Sequence, residues 1–372
     1  MTGRSLVFVW EKFAPIHVDR CDAVARAAGN GRRVVGIELA SQDRHYDWLP
    51  EASTKFGKTT LFFNTTVSSL PLAKTAFKLI RECWRNRPAD FFFCHYELAF
   101  VFFAALILRI TGNRVFIMND SKFDDRKRYL WREVMKSVLL IPYNGSIASG
   151  RRAEDYFRFL GIPEKGIRLF YDTLSTERIR RLGAVAQAPG GTPFESRHFT
   201  VVARMVPKKN ISMVIEAFAL YRAQSAMPRQ LQLCGSGPLE AQLRSEAAAR
   251  GLEESVIFRG VLQMEDVCKT LGTTLALLLP STEEQFGNVV IEAQALGLPV
   301  ILSDNCGARD MLVRGGVNGF VIEPDNPAGL AFFMGLLDRD ESLWRRMSLA
   351  TRHFAELGDA SLFAKSVLSL AG

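Results

Sequence analysis

The sequence has no CxxC pair. Its six cysteines, Cys21, Cys83, Cys94, Cys234, Cys268 and Cys306, stand singly. That spacing offers neither a zinc ribbon nor a thioredoxin-type redox pair. Scattered single thiols fit a reducing compartment. Long apolar runs are missing too. The longest, Leu98 to Leu108, falls well short of the about 20 residues needed to span a bilayer, so a buried helix packed on a sheet is expected there. The N-terminal MTGRSLVFVWEKF reaches charge again at Glu11. This is too soon for the apolar core of a secretion signal, and no small-residue cleavage site follows. A cytoplasmic protein is therefore expected. No fixed-period repeat, low-complexity tract or heptad series occurs. Hydrophobic residues make up 48% and charged residues 23% of the 372. That excludes a disordered chain, a collagen-like chain and a disulfide-stapled miniprotein. At ~150 residues per domain, the length suggests two domains.

Charge is divided unevenly. Residues 1–180 hold 29 Lys and Arg against 19 Asp and Glu, or +10, while residues 201–372 hold 16 against 19, or −3. A basic half joined to a mildly acidic half suggests domains with different partners. The readings open are nucleic acid, an anionic membrane surface, or an ordinary basic surface. No recognition-helix motif or RNA-binding aromatic signature is present, so no nucleic-acid partner is expected.

Short β-branched or aromatic runs alternate with helical patterns. In the first half the strands are expected at Leu6–Trp10, Arg33–Leu39, Thr59–Phe63, Phe91–Cys94, Val115–Met118, Ser146–Ala148 and Ile167–Phe170. Helical segments such as Val18–Ala28, Leu72–Arg87 and Arg126–Leu140 separate them. The alternation predicts βαβ units and parallel sheets covered on both faces. Gly and Pro cluster between Leu182 and Arg197, which reads as an exposed linker. The pattern restarts with Phe199–Ala203, Gln230–Cys234, Val256–Phe258, Thr274–Leu279, Val300–Ser303 and Gly319–Ile322. The expected division is residues 1–182, a linker at 183–197, a second α/β domain at 198–355, and a C-terminal helix within 356–372 packing back on the first domain.

Ligands of such folds bind at the C-terminal ends of the strands. Three turns of the second half stand out. Ala203 to Asn210 reads ARMVPKKN, and Arg204 and Lys209 there suit a diphosphate, unless they are only basic residues in a surface loop. Leu233 to Pro238 reads LCGSGP, but Glu240 stands where a dinucleotide fingerprint needs its third glycine. Pro280 to Ala293 reads PSTEEQFGNVVIEA. Glu284 sits in the loop and Glu292 one turn into the helix, with Gly287 permitting close backbone approach between them. Two carboxylates beside backbone donors fit sugar hydroxyls; the plain alternative is one capping acid and one solvated acid.

With ARMVPKKN, LCGSGPLEAQL, VIFRGVL, LLLPSTEEQFGNVVIEAQALGLPVILSD and GGVNGFVIEPDNP in order, residues 199–330 resemble the nucleotide-sugar-binding half of the retaining glycosyltransferases of family 4, glycosyl transferases group 1. The resemblance implies the GT-B fold: two Rossmann-like α/β domains facing each other across a cleft. It implies that Arg204 and Lys209 hold the donor diphosphate and that Glu284 contacts the donor sugar. It also implies that Glu292 binds the ribose hydroxyls, and that the backbone of Phe286, Gly287 and Asn288 faces sugar and phosphate. The donor would be an NDP-sugar, UDP- or GDP-linked, with no cofactor and no metal. Retention would follow, with the leaving phosphate helping to deprotonate the acceptor.

The first half departs from the family. Where a Gly-Gly loop is common, this chain has Pro15 to Arg20, with His17 either facing the cleft or capping a helix. Asn119 falls at about the position of the family's histidine, followed by Asp120, Ser121 and Lys122. His95 is a further candidate at a strand end. The catalytic set expected is thus Glu284, Asn119, Asp120 and His17. The function expected is a hexosyltransferase-type glycosyltransferase of envelope polysaccharide or glycolipid synthesis. The alternatives are a non-catalytic sugar-nucleotide-binding GT-B protein and a sugar-nucleotide epimerase. The cluster Lys122, Arg126, Lys127, Arg128, Arg132 and Lys136 is expected to dock reversibly on an anionic membrane, on the inner face of the plasma membrane.

Overall fold

The computed structural model describes residues 3–42 and 55–372. The chain forms two compact units, Met1–Ser175 with Ala360–Gly372, and Thr176–Asp359.

In the first unit the strands are β1 Ser5–Trp10, β2 Val34–Ala40, β3 Gly57–Phe62, β4 Ala89–Phe93, β5 Arg114–Asn119, β6 Gly145–Ala148 and β7 Ile167–Arg168. Between them run α1 Pro15–Ala28, α2 Leu72–Arg85, α3 Ala99–Ile110, α4 Leu130–Leu140 and α5 Arg151–Phe159. The sheet is parallel, in the order β3-β2-β1-β4-β5-β6-β7. Alternate residues of each strand face opposite sides. On one side Val7, Val9, Phe91 and Phe93 pack with Leu79, Val101 and Phe157 of α2, α3 and α5. On the other, Leu6, Phe8, Trp10 and Phe92 pack with Cys21 and Val24 of α1.

The expected helix from Arg126 begins only at Leu130. The Lys122 N–H donates to the Asp125 carboxylate at 2.8 Å, and the Arg128 guanidinium is held by the carbonyls of Lys122 and Phe123. These bonds keep residues 122–128 as a folded loop.

The second unit opens with α6 Thr176–Gly183 and continues through β8 His198–Val202, α7 Ile211–Gln224, β9 Leu231–Cys234, α8 Glu240–Ala248, β10 Val256–Gly260, α9 Met264–Gly272 and β11 Thr274–Leu279. It ends with α10 Val289–Ala295, β12 Val300–Ser303, α11 Arg309–Leu312, β13 Gly319–Ile322, α12 Pro327–Arg339 and α13 Glu341–Ala355. Its parallel sheet runs β10-β9-β8-β11-β12-β13.

The units divide before Thr176, ahead of the expected boundary at 182, and residues 183–197 belong to the second unit rather than joining the two. Ala188 is buried and its N–H donates to the Leu296 carbonyl at 2.9 Å. The Arg352 side chain donates to the carbonyls of Gln187 and Ala188, and buried Arg197 donates to those of Thr192, Gly190 and Thr274. The Gly and Pro residues make turns whose carbonyls these two guanidinium groups satisfy, so the stretch packs into the second unit.

The last helix, α14 Ala360–Ala371, belongs to the first unit and lies along α1. Phe363 is fully buried, with its ring 5.8 Å from Phe8 and 6.4 Å from Tyr171. Phe363→Ala is therefore expected to destabilise the first unit by about 3–5 kcal/mol, the usual cost of deleting a buried aromatic ring. Urea denaturation measures this; an unchanged midpoint would show that α14 contributes nothing to that core.

Candidate functional site

In both sheets the strand order reverses beside the first strand of the unit, between β1 and β4 and between β8 and β11. At such a reversal the two flanking connections run to opposite sides and leave an opening at the strand ends. Arg204 and Lys209 follow β8, and Glu284, Phe286, Gly287 and Asn288 follow β11. These residues of the second unit therefore lie at the end of two adjacent strands.

The loops carrying them are tied together. Lys209 Nζ pairs with Glu284 Oε2, which also accepts from Ser281 Oγ at 3.2 Å. Asn210 adopts the left-handed conformation at φ 57°, which asparagine tolerates. Its amide donates to the carbonyls of Pro280 and Pro324 at 3.1 and 2.6 Å. The Thr282 N–H donates to the Lys208 carbonyl at 2.9 Å. Two glycines make close approach possible. A Cβ on Gly235 would stand 2.0 Å from the Ala203 carbonyl oxygen, and one on Gly307 would stand 1.9 Å from that of Gln285. The LCGSGP turn thus brings the β9 end against the loop of Arg204, a packing task that needs no third glycine.

Glu292, on α10, is 7% exposed. Burial raises its carboxyl to about 7, against the opposing charge of Arg178. Arg178 lies on α6, and sequence reasoning missed it because that helix was assigned to the first half. Asn210 and Ser281 were also missed; the sequence signal was an Asn just ahead of a helix and a Ser three residues before Glu284.

In the first unit, His17 lies after β1, His95 after β4, and Asn119 and Asp120 at the end of β5. His17 Nδ1 accepts the Ala14 N–H at 3.0 Å, which is the capping alternative, and its ring stacks on Trp10 at 4.6 Å. Burial, then the charges of Arg20 and His95, hold it well below the usual histidine range. The neutral ring therefore carries its proton on Nε2, as a donor. Burial would lower His95, but the carboxylates of Glu97 and Glu11, 3.5 and 3.8 Å away, outweigh it and raise its pKa. Asp120 is pushed up to about 7 by burial and by Asp172 and Asp125. His17, His95 and Asp120 thus form one interacting set. Asn119 has a structural task, its side-chain oxygen accepting the Ser121 N–H at 2.7 Å. Lys122 is buried between Asp124 and Asp125, both at 3.1 Å.

Residues 187–353 match the family model described as Glycosyl transferases group 1. This part, less than half of the chain, is similar to the group 1 glycosyltransferases. The chain is 28% identical over 214 residues to a D-inositol 3-phosphate glycosyltransferase of Streptomyces bingchenggensis, covering 55% of this chain and 47% of that protein. It is 30% identical over 147 residues to an amylovoran biosynthesis glycosyltransferase of Erwinia amylovora, covering 38% and 36%. Each match therefore spans less than half of the relative's length. Over nearly the whole chain it resembles the lipopolysaccharide outer core galactosyltransferase in its apo form, at TM-score 0.69, 17% identity and 97% coverage of both chains. It also resembles the Anabaena protein HepE in complex with UDP and glucose, at TM-score 0.73, 16% identity and 98% coverage of both. At such identities the likeness is one of fold, and the fold is GT-B. Among the described residues, no helix is long and apolar enough to cross a membrane.

The buried acid of the second unit has a consequence for stability. An unfolded glutamate titrates near about 4.3. Between that pH and about 7 the folded chain holds more protons at Glu292, so the contribution of this carboxyl to stability falls as pH rises through the window. Glu292→Gln is expected to remove that part of the decline, roughly 3 kcal/mol by the end of the window. Unfolding midpoints of both proteins across it provide the check; parallel curves would refute the shifted carboxyl.

Proposed function

We propose that the chain transfers a sugar, a hexose, from a UDP- or GDP-linked donor to an acceptor hydroxyl, with retention and without a metal. The observation that supports it best is the gathering of Arg204, Lys209, Glu284, Gly287 and Glu292 around the adjacent ends of β8 and β11. The UDP and glucose in the HepE complex and the amylovoran biosynthesis named for the Erwinia relative favour the same reading.

The roles follow from the chemistry of each group. Bond cleavage at the anomeric carbon leaves negative charge on the diphosphate. Preorganised cations stabilise that charge as it develops. The Arg204 guanidinium forks onto phosphate oxygens, and Lys209, held in place by Glu284, adds a point charge. They supply positive charge that a metal otherwise would. Glu284 orients donor-sugar hydroxyls, and the backbone of Phe286, Gly287 and Asn288 lies along sugar and phosphate. Glu292 accepts from the ribose hydroxyls. The acceptor hydroxyl proton passes to the leaving phosphate oxygen as the new glycosidic bond forms on the same face. The first unit holds the acceptor, with the Nε2–H of His17 donating, Asp120 accepting, and Asn119 beside them. The acceptor is lipid-linked or envelope polysaccharide, met at the inner face of a membrane on which the protein docks reversibly.

Arg204→Ala and Lys209→Ala are each expected to lower turnover of the donor by about 10²-fold. Release of free nucleoside diphosphate from a panel of UDP- and GDP-sugars measures this. Near-normal kinetics in both variants would refute the diphosphate assignment. The Glu292 carboxyl titrates near 7. A ribose bond to the carboxylate should therefore make UDP or GDP bind more tightly as pH rises from about 6 to about 8. Glu292→Gln should bind more weakly and lose the share of the rise that the carboxyl contributes; calorimetry that finds wild-type affinity in this variant would exclude the ribose role.

A further inference from the structure

Half of the expected membrane-docking cluster is engaged within the unit, while Arg126, Lys127 and Arg132 stay exposed. Lys122 is buried between two aspartates, Lys136 pairs with Glu133 at 3.0 Å, and Arg128 lies 3.6 Å from Glu133 and over the Tyr156 ring at 4.6 Å. The same segment exposes something else. On α4, Leu130, Trp131, Val134, Met135 and Val138 are 78, 64, 55, 52 and 44% exposed, and Ile141 just beyond is 72% exposed. At 100° per residue these six fall within an arc of about 140°. The opposite side of the helix carries Glu133 and Leu140, both buried against the unit. α4 is therefore held by one face and presents an apolar stripe on the other.

The flanks of the stripe carry one sign of charge. Arg126, Lys127 and Arg132 are exposed beside it. Lys127 and Arg132 lie 5.9 and 5.2 Å from the Tyr129 ring, and Arg132 also lies 5.1 Å from that of Trp131. The nearest exposed acid of the loop, Asp124, is engaged by Lys122 and Arg152. A second copy docked symmetrically on this face would set cations against cations. An anionic bilayer meets both features at once, taking the apolar stripe among acyl chains and the cations among headgroups, with aromatic rings at the boundary.

We infer that the exposed face of α4 is a membrane-inserting surface, seated in the interface of an anionic bilayer with Leu130, Trp131 and Val134 below the headgroups. It gives the membrane-facing acceptor reading its contact element, and rests on that reading only for its purpose. Insertion of apolar side chains distinguishes it from docking by charge alone: charge docking is screened by salt, whereas burial of apolar surface is not.

The test is co-sedimentation with vesicles of phosphatidylglycerol and phosphatidylcholine, and of phosphatidylcholine alone, at low and high salt, without donor or acceptor. Wild type is expected to bind the anionic vesicles, to keep a substantial bound fraction at high salt, and to shift its tryptophan emission to the blue on binding. Trp131→Phe should lose most of that shift. Leu130→Ser with Val134→Ser should weaken binding at least tenfold, and Lys127→Ala with Arg132→Ala should weaken it chiefly at low salt. All these positions are exposed, so an unchanged melting temperature is expected in each variant. Failure of wild type to bind either vesicle would overturn the inference, as would equal binding by the Leu130/Val134 double variant. Dimerisation of wild type in light scattering, abolished in that variant while vesicle binding persists, would assign the face to a second copy instead. Nucleoside diphosphate binding, measured by calorimetry on the same samples, reports on the donor reading independently.

Discussion

Backbone packed directly on backbone, where the strand-end loops of the second unit meet, is the constraint on which the donor side depends. Gly235 lets the end of β9 lie against the Ala203 carbonyl, and Gly307 lets the segment after β12 lie against that of Gln285. The Met205 N–H then reaches the Ser236 carbonyl at 2.8 Å, and the Ala308 N–H reaches that of Phe286 at 2.9 Å. These contacts leave the loops carrying Arg204 and Glu284 little freedom. Functional groups fixed in this way need not be ordered at the moment of reaction, which is what electrostatic preorganisation requires. The Lys209–Glu284 pair and the Asn210 amide on two carbonyls serve the same end.

The first unit handles its charge differently. Asp90, fully buried, is held by Arg4, Arg32 and Arg114. Arg20, also buried, binds Asp172 at 3.0 Å and lies over the Tyr171 ring at 4.5 Å. Four arginines of residues 1–180 are thus drawn onto two buried carboxylates, where removing one partner leaves a buried charge uncompensated. Net charge counted along a sequence does not distinguish these arginines from surface ones. For that reason the sequence cluster mixed engaged cations, Lys122, Arg128 and Lys136, with the exposed Arg126, Lys127 and Arg132, while the exposed apolar stripe of α4, which passes in sequence for an ordinary core helix, went unread.

What was legible divides along the same line. Runs such as Thr274–Leu279 and Val300–Ser303 are apolar throughout because both faces of the parallel sheet are covered, and their bounds match the strands observed. The positions of Arg204, Lys209, Glu284 and Glu292 could be read because strand, turn and helix signals follow one another without interruption. Residues 183–197 misled because glycine and proline mark turns equally well in a linker and in a packed segment. What decides between them is the guanidinium groups of Arg197 and Arg352, the latter 164 residues from Ala188. At Asn119, position does not show a task that the structure does: its side-chain oxygen closes the turn at Ser121. The electrostatic set of His17, His95 and Asp120 joins three strand ends and has no local sequence signal.

The central claim is that the ends of β8 and β11 hold a nucleoside diphosphate. A crystal structure of the full chain grown with UDP or GDP tests it most directly. Diphosphate oxygens are expected at about 2.7–3 Å from the side chains of Arg204 and Lys209, with the ribose hydroxyls on the carboxylate of Glu292. A nucleotide bound elsewhere, or bound here with its ribose away from Glu292 and its phosphates away from Arg204, would contradict it.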